Sequence, residues 1–326
     1  MKNEPPSGSP AVSAGGGPRE AASAPAVNVA TQAFHDHREL LFSIVYNMLG
    51  SVADAEDVLQ ETWLSWMSRN QASSAEPIEN PRAYLVRIAV NQALAQQAVI
   101  SRRRETYIGP WLPEPLVGPL LEPSVPDDAA DAVVRAESVS MAMLVVLETL
   151  TPLERAVFVL HEVFGYTHAE TAEILGRRST AVRQLAHRAR EHVQARRPRH
   201  QPDARVRQQV TERFLAAALG GDLDALLQIL APDVTLWGDG GGKGAGAGGW
   251  QPHHGRGKVA RLLTALAPRP GNRLEIAYRS VNGEPSALLY LSDTPYAVIV
   301  LDLTPDGKQV CGIYAVANPD KLSHVD

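Results

Sequence analysis

The stretch "YTHAETAEILGRRSTAVRQLAHRAREHV", residues Tyr166 to Val193, decides how this part of the chain folds. Its apolar residues recur at helical spacing in two short segments that a glycine separates. Thr167 is a good N-cap for the first helix, Gly176 suits its end, and Ser179 or Thr180 suits the cap of the second. Two helices joined by a short turn in this way are typical of a helix-turn-helix that reads duplex DNA.

The second helix of this motif is strongly basic. Between Gly176 and Arg199 the sequence has eight arginines and one acidic residue, Glu191. Guanidinium groups pair with phosphates and with guanine edges, so the pattern favours a DNA-binding helix over a merely solvated face. The candidate duplex-reading residues are Ser179, Thr180, Arg183, Gln184, His187, Arg188 and Arg190.

An acidic helix is predicted further upstream, in "DAEDVLQETW", residues 54–63. Its acidic side chains recur at helical spacing, and basic residues are absent from this stretch. Such a face repels DNA and suits a basic protein partner. The alternative is an ordinary acidic helix start, which the helix dipole favours. The residues of the predicted face are Asp54, Asp57 and Glu61, with Glu56 and Gln60 beside them.

A helix of a different kind is predicted in "NPRAYLVRIAVNQALAQQAVISRRRE", residues 80–105. It combines arginines with an aromatic and an amide side chain, which suit unpaired bases through stacking and edge hydrogen bonds. The alternative is that Tyr84 belongs to the core and that the arginines only cap the helix. The candidate residues are Arg82, Tyr84, Arg87, Asn91, Arg102, Arg103 and Arg104.

Composition divides the chain into segments. Residues 1–30 are rich in Ala, Gly, Pro and Ser and are predicted to be a disordered tail. Residues 31–105 and 129–198 are predicted to be helical, and 106–128 form a proline-rich linker without regular structure. Because that linker is also apolar, we expect it to lie along a surface. Residues 203–326 start with helical segments and continue with strand-like runs, which predicts an α+β domain with an antiparallel sheet.

Composition also excludes several classes of protein. The net charge of −5 argues against a chain that is basic all over, so any nucleic-acid surface must be local. A single cysteine, Cys311, excludes an internal disulfide and disfavours a cysteine-rich zinc site; we expect no metal and no cofactor. No apolar run is as long as a membrane span, so we expect a cytoplasmic protein without membrane contact.

The segment "TLWGDGGGKGAGAGGW", residues 235–250, looks at first like a phosphate-binding loop. The Walker pattern requires four residues between its first glycine and the Gly-Lys pair, then Ser or Thr, and then a helix. Here Gly244 follows Lys243, and the residues beyond cannot begin a helix. Nucleotide binding is therefore not predicted, and a glycine-rich hairpin is the plain alternative.

Taken together, the motifs resemble bacterial extracytoplasmic-function sigma factors over residues 34–193. The linker "YIGPWLPEP" and the motifs "DGGGK" and "NPDKL" are similar to those of the sigma-J type subgroup. In that subgroup a SnoaL-like domain, a cone-shaped fold, follows the sigma domains. The resemblance implies a multidomain protein with two all-α sigma domains, the second a helix-turn-helix, and then an α+β SnoaL-like domain.

The resemblance also implies a function. The chain would be an alternative sigma factor that binds core RNA polymerase and initiates transcription. The acidic helix would dock on the β′ clamp helices, residues 82–104 would melt and read the −10 element, and the helix-turn-helix would read the −35 element. The β flap is a further expected polymerase contact. The SnoaL-like domain would replace a separate anti-sigma factor through the residues Asp239, Gly240, Gly241, Gly242, Lys243, Asn318, Pro319, Asp320, Lys321 and Leu322.

Two other functions compete with this one. The first is a helix-turn-helix repressor with a ligand-sensing domain. The second is an isomerase or cyclase in the SnoaL-like domain, which requires an Asp or His in a closed apolar cavity. No pairing stands out among its candidates, so we predict no enzyme activity; those candidates are Asp233, Asp239, His253, His254, Asp302 and Tyr314.

Overall fold

The computed structural model describes residues 24–71, 78–118, 139–194, 202–243, 251–267 and 274–325. They form an N-terminal helical domain, a linker segment, a helix-turn-helix domain and a C-terminal α+β domain. Most of the predicted tail and the second half of the predicted linker lie outside the described residues. The last residues of the predicted tail belong to the first helix instead, because that helix begins at Ala24.

The N-terminal domain packs helices α1 (Ala24–Leu49), α2 (Val52–Gln71) and α3 (Pro81–Glu105) around one apolar core. Gly50, at a φ of 70°, lets the chain turn sharply between α1 and α2. The Asn80 side chain caps α3 by accepting a hydrogen bond of 3.0 Å from the amide of Ala83. Proline at the first helical position suits this start, as the sequence predicts.

The helix-turn-helix domain contains α4 (Met141–Leu147), α5 (Pro152–Phe158), a π-helical turn (Val159–Val163), α6 (His168–Ile174) and α7 (Ser179–Gln194). Thr167 caps α6 in a reciprocal capping box with Glu170, and Gly176 adopts a φ of 59° after it, so both predictions are confirmed. Helix α7 begins at Ser179 itself, which makes Ser179 the first helical residue and not its cap.

The C-terminal domain places its first three helices on one face of a seven-stranded sheet built by the described strands, and its short last helix lies on the other face. Its helices are α8 (Ala204–Gly220), α9 (Leu223–Ile229), α10 (Arg256–Ala265) and α11 (Pro319–Leu322). Its own strands are β2 (Leu230–Asp239), β3 (His253–His254), β4 (Leu274–Val281), β5 (Glu284–Leu291), β6 (Thr294–Leu303) and β7 (Val310–Val316).

The sheet is mixed and not purely antiparallel, which corrects the prediction. Strand β2 pairs in parallel with β7, whereas β4 to β7 pair antiparallel in sequence order. Tight turns impose antiparallel pairing on strands that are adjacent in sequence. Strands β2 and β7 are neighbours in the sheet but are separated along the chain by β3 to β6, so no tight turn determines their relative direction.

The linker contributes the edge strand β1 (Val117–Gly118), which pairs with the end of β4. The prediction that its prolines exclude all regular structure is therefore wrong at these residues. The linker also covers the sheet face opposite α8 to α10, where Leu112 packs with Met141 of α4 and with residues of β5 to β7. The linker, the helix-turn-helix domain and the C-terminal domain thus meet at this sheet face.

Replacing Leu112 by alanine should lower the melting temperature of the full chain. Leu112 is 1% exposed, and truncating such a leucine costs about 2–5 kcal/mol because it leaves a cavity. Differential scanning calorimetry would measure the change, with Leu266→Ala as the matched control, since Leu266 is 49% exposed. Equal melting temperatures for wild type and Leu112→Ala would contradict the packing described here.

Candidate functional site

Helix α2 presents an exposed polar face in its first half. Asp57, Gln60 and Glu61 are exposed and lie on this face, as the sequence predicts. Leu64 extends the same face by one turn and is 59% exposed, which makes an apolar contact available beside the carboxylates. Leu64 is not among the predicted residues, although its spacing of three residues from Glu61 places it on this face.

Asp54 does not belong to this exposed face, which corrects the prediction. It is 3% exposed and accepts hydrogen bonds from Arg103 at 2.6 Å and from Gln96 at 3.0 Å. Seven residues separate Asp54 from Glu61, so both lie on nearly the same side of α2. Gln96 and Arg103 of α3 bind Asp54 in the first turn, whereas Glu61, two turns later, is exposed. Burial acts to raise the pKa of Asp54, but the hydrogen bonds outweigh burial and hold the pKa below its ordinary value.

Glu56, predicted beside this face, is engaged by the N-terminal domain itself. Arg38 of α1 donates to both of its carboxylate oxygens, at 2.7 and 2.9 Å. Both side chains remain substantially exposed, so the pair contributes little to stability and either partner can rearrange at low cost.

The predicted base-reading residues of α3 differ in their accessibility. Arg82, Arg87, Asn91 and Arg102 are exposed. Tyr84 is half-buried, with its ring centroid 5.8 Å from that of Trp66, so it is partly a core residue. The Arg87 guanidinium lies 5.4 Å above the Tyr84 ring, an arrangement of cation and aromatic face that could also receive a base.

The helix-turn-helix domain covers part of this surface of α3. The Arg82 guanidinium lies 5.6 Å from the ring centroid of Tyr166. The Asn91 side-chain amide donates to the backbone carbonyls of Arg87, at 2.7 Å, and of Ile174 in α6, at 3.3 Å. Two candidate base-reading residues of α3, Arg82 and Asn91, are therefore in contact with the helix-turn-helix domain.

A buried ion network holds these two domains together. Glu148, just after α4, accepts hydrogen bonds from Arg104 of α3 and, at 2.6 Å, from Arg155 of α5. Arg155 also donates to the carbonyl of Asn47 in α1, at 2.9 Å. Burial lowers the pKa of both arginines, of which Arg155 is almost fully buried. Arg104 is therefore part of the domain interface and is not free on the surface as predicted. Arg103 binds Asp54 but stays half exposed, and its DNA contact stays a prediction.

Helix α7 exposes most of its predicted duplex-reading side chains. Thr180, Arg183, Gln184 and His187 are exposed, and Ser179 is half-buried at the helix start. Two further arginines bind acidic residues of the same domain: Arg188 binds Glu154 at 3.0 Å, and Arg190 binds Glu162 at 2.5 Å. These ion pairs orient both side chains at the edge of the exposed face.

Asp239, at the end of β2, is the centre of a second buried cluster that we call the latch. Its carboxylate accepts hydrogen bonds from the hydroxyl of Tyr107, from the amide of Leu112 at 2.8 Å and from the ammonium of Lys321 at 2.8 Å. Tyr107 and Leu112 belong to the linker, whereas Asp239 and Lys321 belong to the C-terminal domain. The latch therefore binds the linker to that domain.

Aromatic rings of the linker complete the site of Lys321. Its ammonium lies 3.6 Å from the ring centroid of Trp111 and 5.2 Å from that of Tyr107, and it donates to the carbonyl of Leu112. Lys321 is 3% exposed. Burial lowers the pKa of Lys321, and the charge of Asp239 opposes part of this shift. Leu322 is buried beside it in the sheet-face core.

The glycine-rich turn reaches the linker through its backbone. Gly241 and Gly242 have φ angles of 59° and 71°. A side chain at Gly241 would collide with Asn318, and one at Gly242 would press on Ile108 of the linker. Asn318 in turn donates to the Tyr107 hydroxyl at 2.8 Å.

Among the described residues, Lys243 has no hydrogen bond or ion pair to the linker or to the sigma-like domains, which corrects the prediction that it touches those domains. It binds Asp320 at 2.6 Å, and both side chains are mainly exposed. The glycine-rich residues that follow Lys243 lie outside the described residues. Gly240 closes the turn by accepting a hydrogen bond of 2.9 Å from the Lys243 amide, and Pro319 opens helix α11.

A third contact joins the N-terminal domain to the C-terminal domain directly, and the sequence analysis missed it. The side-chain amide of Asn282, in the turn between β4 and β5, donates to the hydroxyl of Tyr46 in α1 at 2.7 Å. Tyr46 donates to the carbonyl of Glu114 in the linker at 2.6 Å. Asn282 and Gly283 have φ angles of 51° and 77°, the left-handed pair that an Asn-Gly hairpin turn favours. The sequence therefore indicates this turn but not its contact with Tyr46.

The candidates for catalysis are dispersed. Asp233 is exposed, Asp239 belongs to the latch, and His253 and His254 form the short edge strand β3. Asp302 and Tyr314 are on neighbouring strands on the sheet face that the linker covers, and burial raises the pKa of both. The described residues contain no group of three or more His, Cys, Asp or Glu that could hold a metal. In the same part of the chain, no helix is long and apolar enough to cross a membrane.

Comparison with known proteins identifies the domains. Residues 33–103 match the family model "Sigma-70 region 2", and residues 140–193 match "Sigma-70, region 4". The ECF RNA polymerase sigma factor SigJ of Mycobacterium tuberculosis is 40% identical over 305 residues, which cover 89% of this chain and 92% of SigJ. The sigma factor SigG of the same species is 30% identical and covers 83% of this chain and 76% of SigG.

This chain belongs to the extracytoplasmic-function RNA polymerase sigma factors. The crystal structure of Mycobacterium tuberculosis SigJ matches it with a TM-score of 0.68 at 35% identity, covering 90% of this chain and 98% of that one. The similarity therefore includes the C-terminal domain. The predicted fold class and the predicted function, an alternative sigma factor that directs transcription initiation, are confirmed.

Replacing Asp54 by asparagine should destabilise the sigma factor at neutral pH and much less at acid pH. Because the folded-state pKa of Asp54 is below its ordinary value of 3.8, ionised Asp54 stabilises the fold above that pH. This stabilisation is lost as the pH falls through the lower folded-state pKa. Hydrogen bonds to a charged group are worth about 1.5–3 kcal/mol.

Chemical denaturation at several pH values would measure this effect. Asp57→Asn is the control, since Asp57 is exposed and its loss should change the free energy of unfolding little at any pH. A difference between wild type and Asp54→Asn that stayed constant from neutral to acid pH would contradict the proposed ion pair.

Proposed function

We propose that this sigma factor docks on the β′ clamp helices of core RNA polymerase through the exposed face of α2. The proposal rests on Asp57, Gln60 and Glu61, which are exposed. Neither carboxylate forms an ion pair within the part of the chain that the structure describes, whereas the adjacent Glu56 is paired with Arg38. Leu64 adds an exposed apolar contact at its edge. Glu56 can join the contact if it exchanges Arg38 for a polymerase cation, whereas the buried Asp54 supports the helix from within.

We further propose that α3 reads the melted −10 element and that α7 reads the −35 element in the major groove. Arg82, Arg87 and Asn91 would bind unpaired bases and phosphates around Tyr84, and Arg102 would bind the backbone. On α7, Arg183, Gln184 and His187 are exposed. Among the described residues, the one ion-pair contact of these three side chains is that of His187 with Glu191, at 3.5 Å. The β flap remains the expected polymerase contact of region 4.

The observation that carries the regulatory part of the proposal is the packing of region 4 on α3. Tyr166 and Ile174 contact the two α3 residues, Arg82 and Asn91, that would approach the −10 bases. In this closed arrangement α3 cannot receive a melted strand along its whole face. The two regions must therefore separate when the promoter is bound.

The C-terminal domain favours the closed arrangement. It receives Met141 of region 4 on its sheet, binds the linker through the latch and touches Tyr46 of region 2. We therefore assign it the place of a separate anti-sigma factor, acting within the same chain. Regulation is favoured over catalysis because the lone pairs of Asp239 are committed to the latch.

Removing two carboxylates from the docking face should weaken polymerase binding. For Asp57→Ala/Glu61→Ala we expect about a tenfold or larger loss of affinity, because truncating one member of a buried interfacial charge pair costs on the order of 2–5 kcal/mol. Binding to purified core polymerase would be measured by fluorescence anisotropy. The control Glu212→Ala/Asp224→Ala removes the same charge from exposed positions of the C-terminal domain.

Unchanged binding by Asp57→Ala/Glu61→Ala would exclude this docking face. Wild-type protein that bound an operator duplex but never core polymerase would favour the competing reading, a helix-turn-helix repressor with a sensing domain. Run-off transcription from the gene's own upstream region distinguishes the two, because only a sigma factor supports it with core polymerase alone.

Breaking the Glu148 network should open region 4 away from region 2. Glu148→Gln leaves the buried Arg155 without a charged partner, which costs about 3–5 kcal/mol in the closed arrangement. We expect the free protein to bind a single-stranded −10 oligonucleotide about tenfold more tightly, because a larger fraction exposes α3. Glu105→Gln is the control, since Glu105 is an exposed glutamate at the end of α3. Equal affinities for all three proteins would show that region 4 does not cover the reading surface.

A further inference from the structure

Glu114 of the linker is a buried charged residue, 8% exposed. It has no part in the polymerase or DNA contacts proposed above. Its carboxylate lies at the N-terminus of α2, the docking helix. One oxygen accepts the amides of Val52 at 2.6 Å and of Ala53 at 3.3 Å, and the other accepts the Ser51 hydroxyl at 3.0 Å. The first amides of a helix have no partner within the helix, and a negative charge there is favourable.

Glu114 is also bound through its backbone to the turn between α1 and α2. Its amide donates to the carbonyl of Gly50 at 2.9 Å, and its carbonyl accepts the hydroxyl of Tyr46 at 2.6 Å. Side chain and backbone together fix the carboxylate relative to the start of α2. The cap is supplied from 62 residues away in sequence and not by the helix's own flank.

Helix α2 has a local cap as well. The Ser51 hydroxyl accepts the amide of Asp54 at 3.2 Å, which is the usual arrangement for an N-cap serine. Glu114 satisfies the two amides that Ser51 does not reach. The helix therefore does not need the linker in order to form, but its first turn is fully hydrogen-bonded only while the linker is seated.

The C-terminal domain holds the linker on both sides of Glu114. Before it, Leu112 is bound through its amide by Asp239 and through its carbonyl by Lys321. After it, Leu116 exchanges hydrogen bonds with Asn282, at 2.9 and 3.3 Å. Release of these contacts would let the linker shift, and a shift of about 1 Å removes a carboxylate from hydrogen-bond range.

We propose that Glu114 is a positioning residue through which the C-terminal domain orders the first turn of the polymerase-docking helix. The C-terminal domain then acts on polymerase engagement in two ways: it favours the closed packing of region 4, and it completes the docking helix of region 2. The second action rests on the proposed docking role of Asp57, which lies within the second turn of α2. The hydrogen-bonding part of the inference does not depend on that role.

Hydrogen exchange of the full chain tests the inference without polymerase. Peptides that cover the start of α2 would be compared in wild type, Glu114→Ala, Lys321→Ala and the double variant. We expect each single variant to speed exchange in the first turn about tenfold, the effect of losing one helix cap. The double variant should exchange no faster than Glu114→Ala, because both changes act through one contact.

Controls and a second variant keep the test decisive. Lys243→Ala removes an exposed lysine of the same domain and should leave exchange in α2 unchanged. Glu114→Gln keeps one acceptor oxygen and should restore part of the protection; it also replaces Glu114→Ala if that variant fails to fold, as judged by circular dichroism. Wild-type exchange in both Glu114 variants would overturn the cap. Fast exchange in Glu114→Ala with wild-type exchange in Lys321→Ala would overturn the connection to the C-terminal domain.

Polymerase binding then tests the functional consequence. Glu114→Ala should bind core polymerase less tightly, by up to about tenfold, and should bind a −35 duplex as the wild type does. Faster exchange with undiminished polymerase affinity would leave Glu114 a structural cap and refute its positioning role. Failure of the wild type itself to bind polymerase would refute the proposed function instead, and the exchange result would still decide the cap.

Discussion

The buried pair of Asp239 and Lys321 is the interaction on which the arrangement of the domains depends. Removing both charges from water is costly, and their mutual attraction repays this only when the remaining hydrogen-bonding positions are also filled. The linker fills them: Tyr107 and the Leu112 amide donate to the carboxylate, and the Leu112 carbonyl and the Trp111 ring receive the ammonium. Without the linker, the C-terminal domain would hold an incompletely satisfied ion pair. The pair therefore determines where the linker binds more than it contributes to overall stability.

This dependence explains why one short segment contacts every domain. Between Tyr107 and Gly118 the linker satisfies the latch, caps α2, fills the sheet face with Leu112 and adds an edge strand to β4. Its prolines assist, since residues without an amide donor and with restricted φ lose little conformational entropy on binding. A flexible tether with the same anchor residues would lose more entropy for the same contacts.

Local signals in the sequence predicted much of the fold, because capping and helical spacing act within a few residues. The caps Asn80 and Thr167 and the turn glycine Gly176 follow from such signals. The failures concern charges whose partners are far away in sequence. Asp54 and Arg104 look like surface residues until the crossing of α3 over α2 and the position of Glu148 are known. Lys243 is predicted as an interdomain contact through the resemblance alone, and its partner Asp320 belongs to the same domain.

The closed arrangement treats the two macromolecular surfaces of region 2 differently. The α2 face with Asp57 and Glu61 is exposed, and its helix is capped by the linker, whereas Arg82 and Asn91 of α3 are in contact with region 4. Under the proposed roles, the protein can meet polymerase without rearranging but cannot read a −10 strand until region 4 moves. Region 4 is held by the Glu148 network and by Met141, and among the described residues the hydrogen bonds of that network go to α1 and α3 and not to α2. Its release therefore leaves the docking helix intact, and polymerase binding can precede the opening that exposes α3 to DNA.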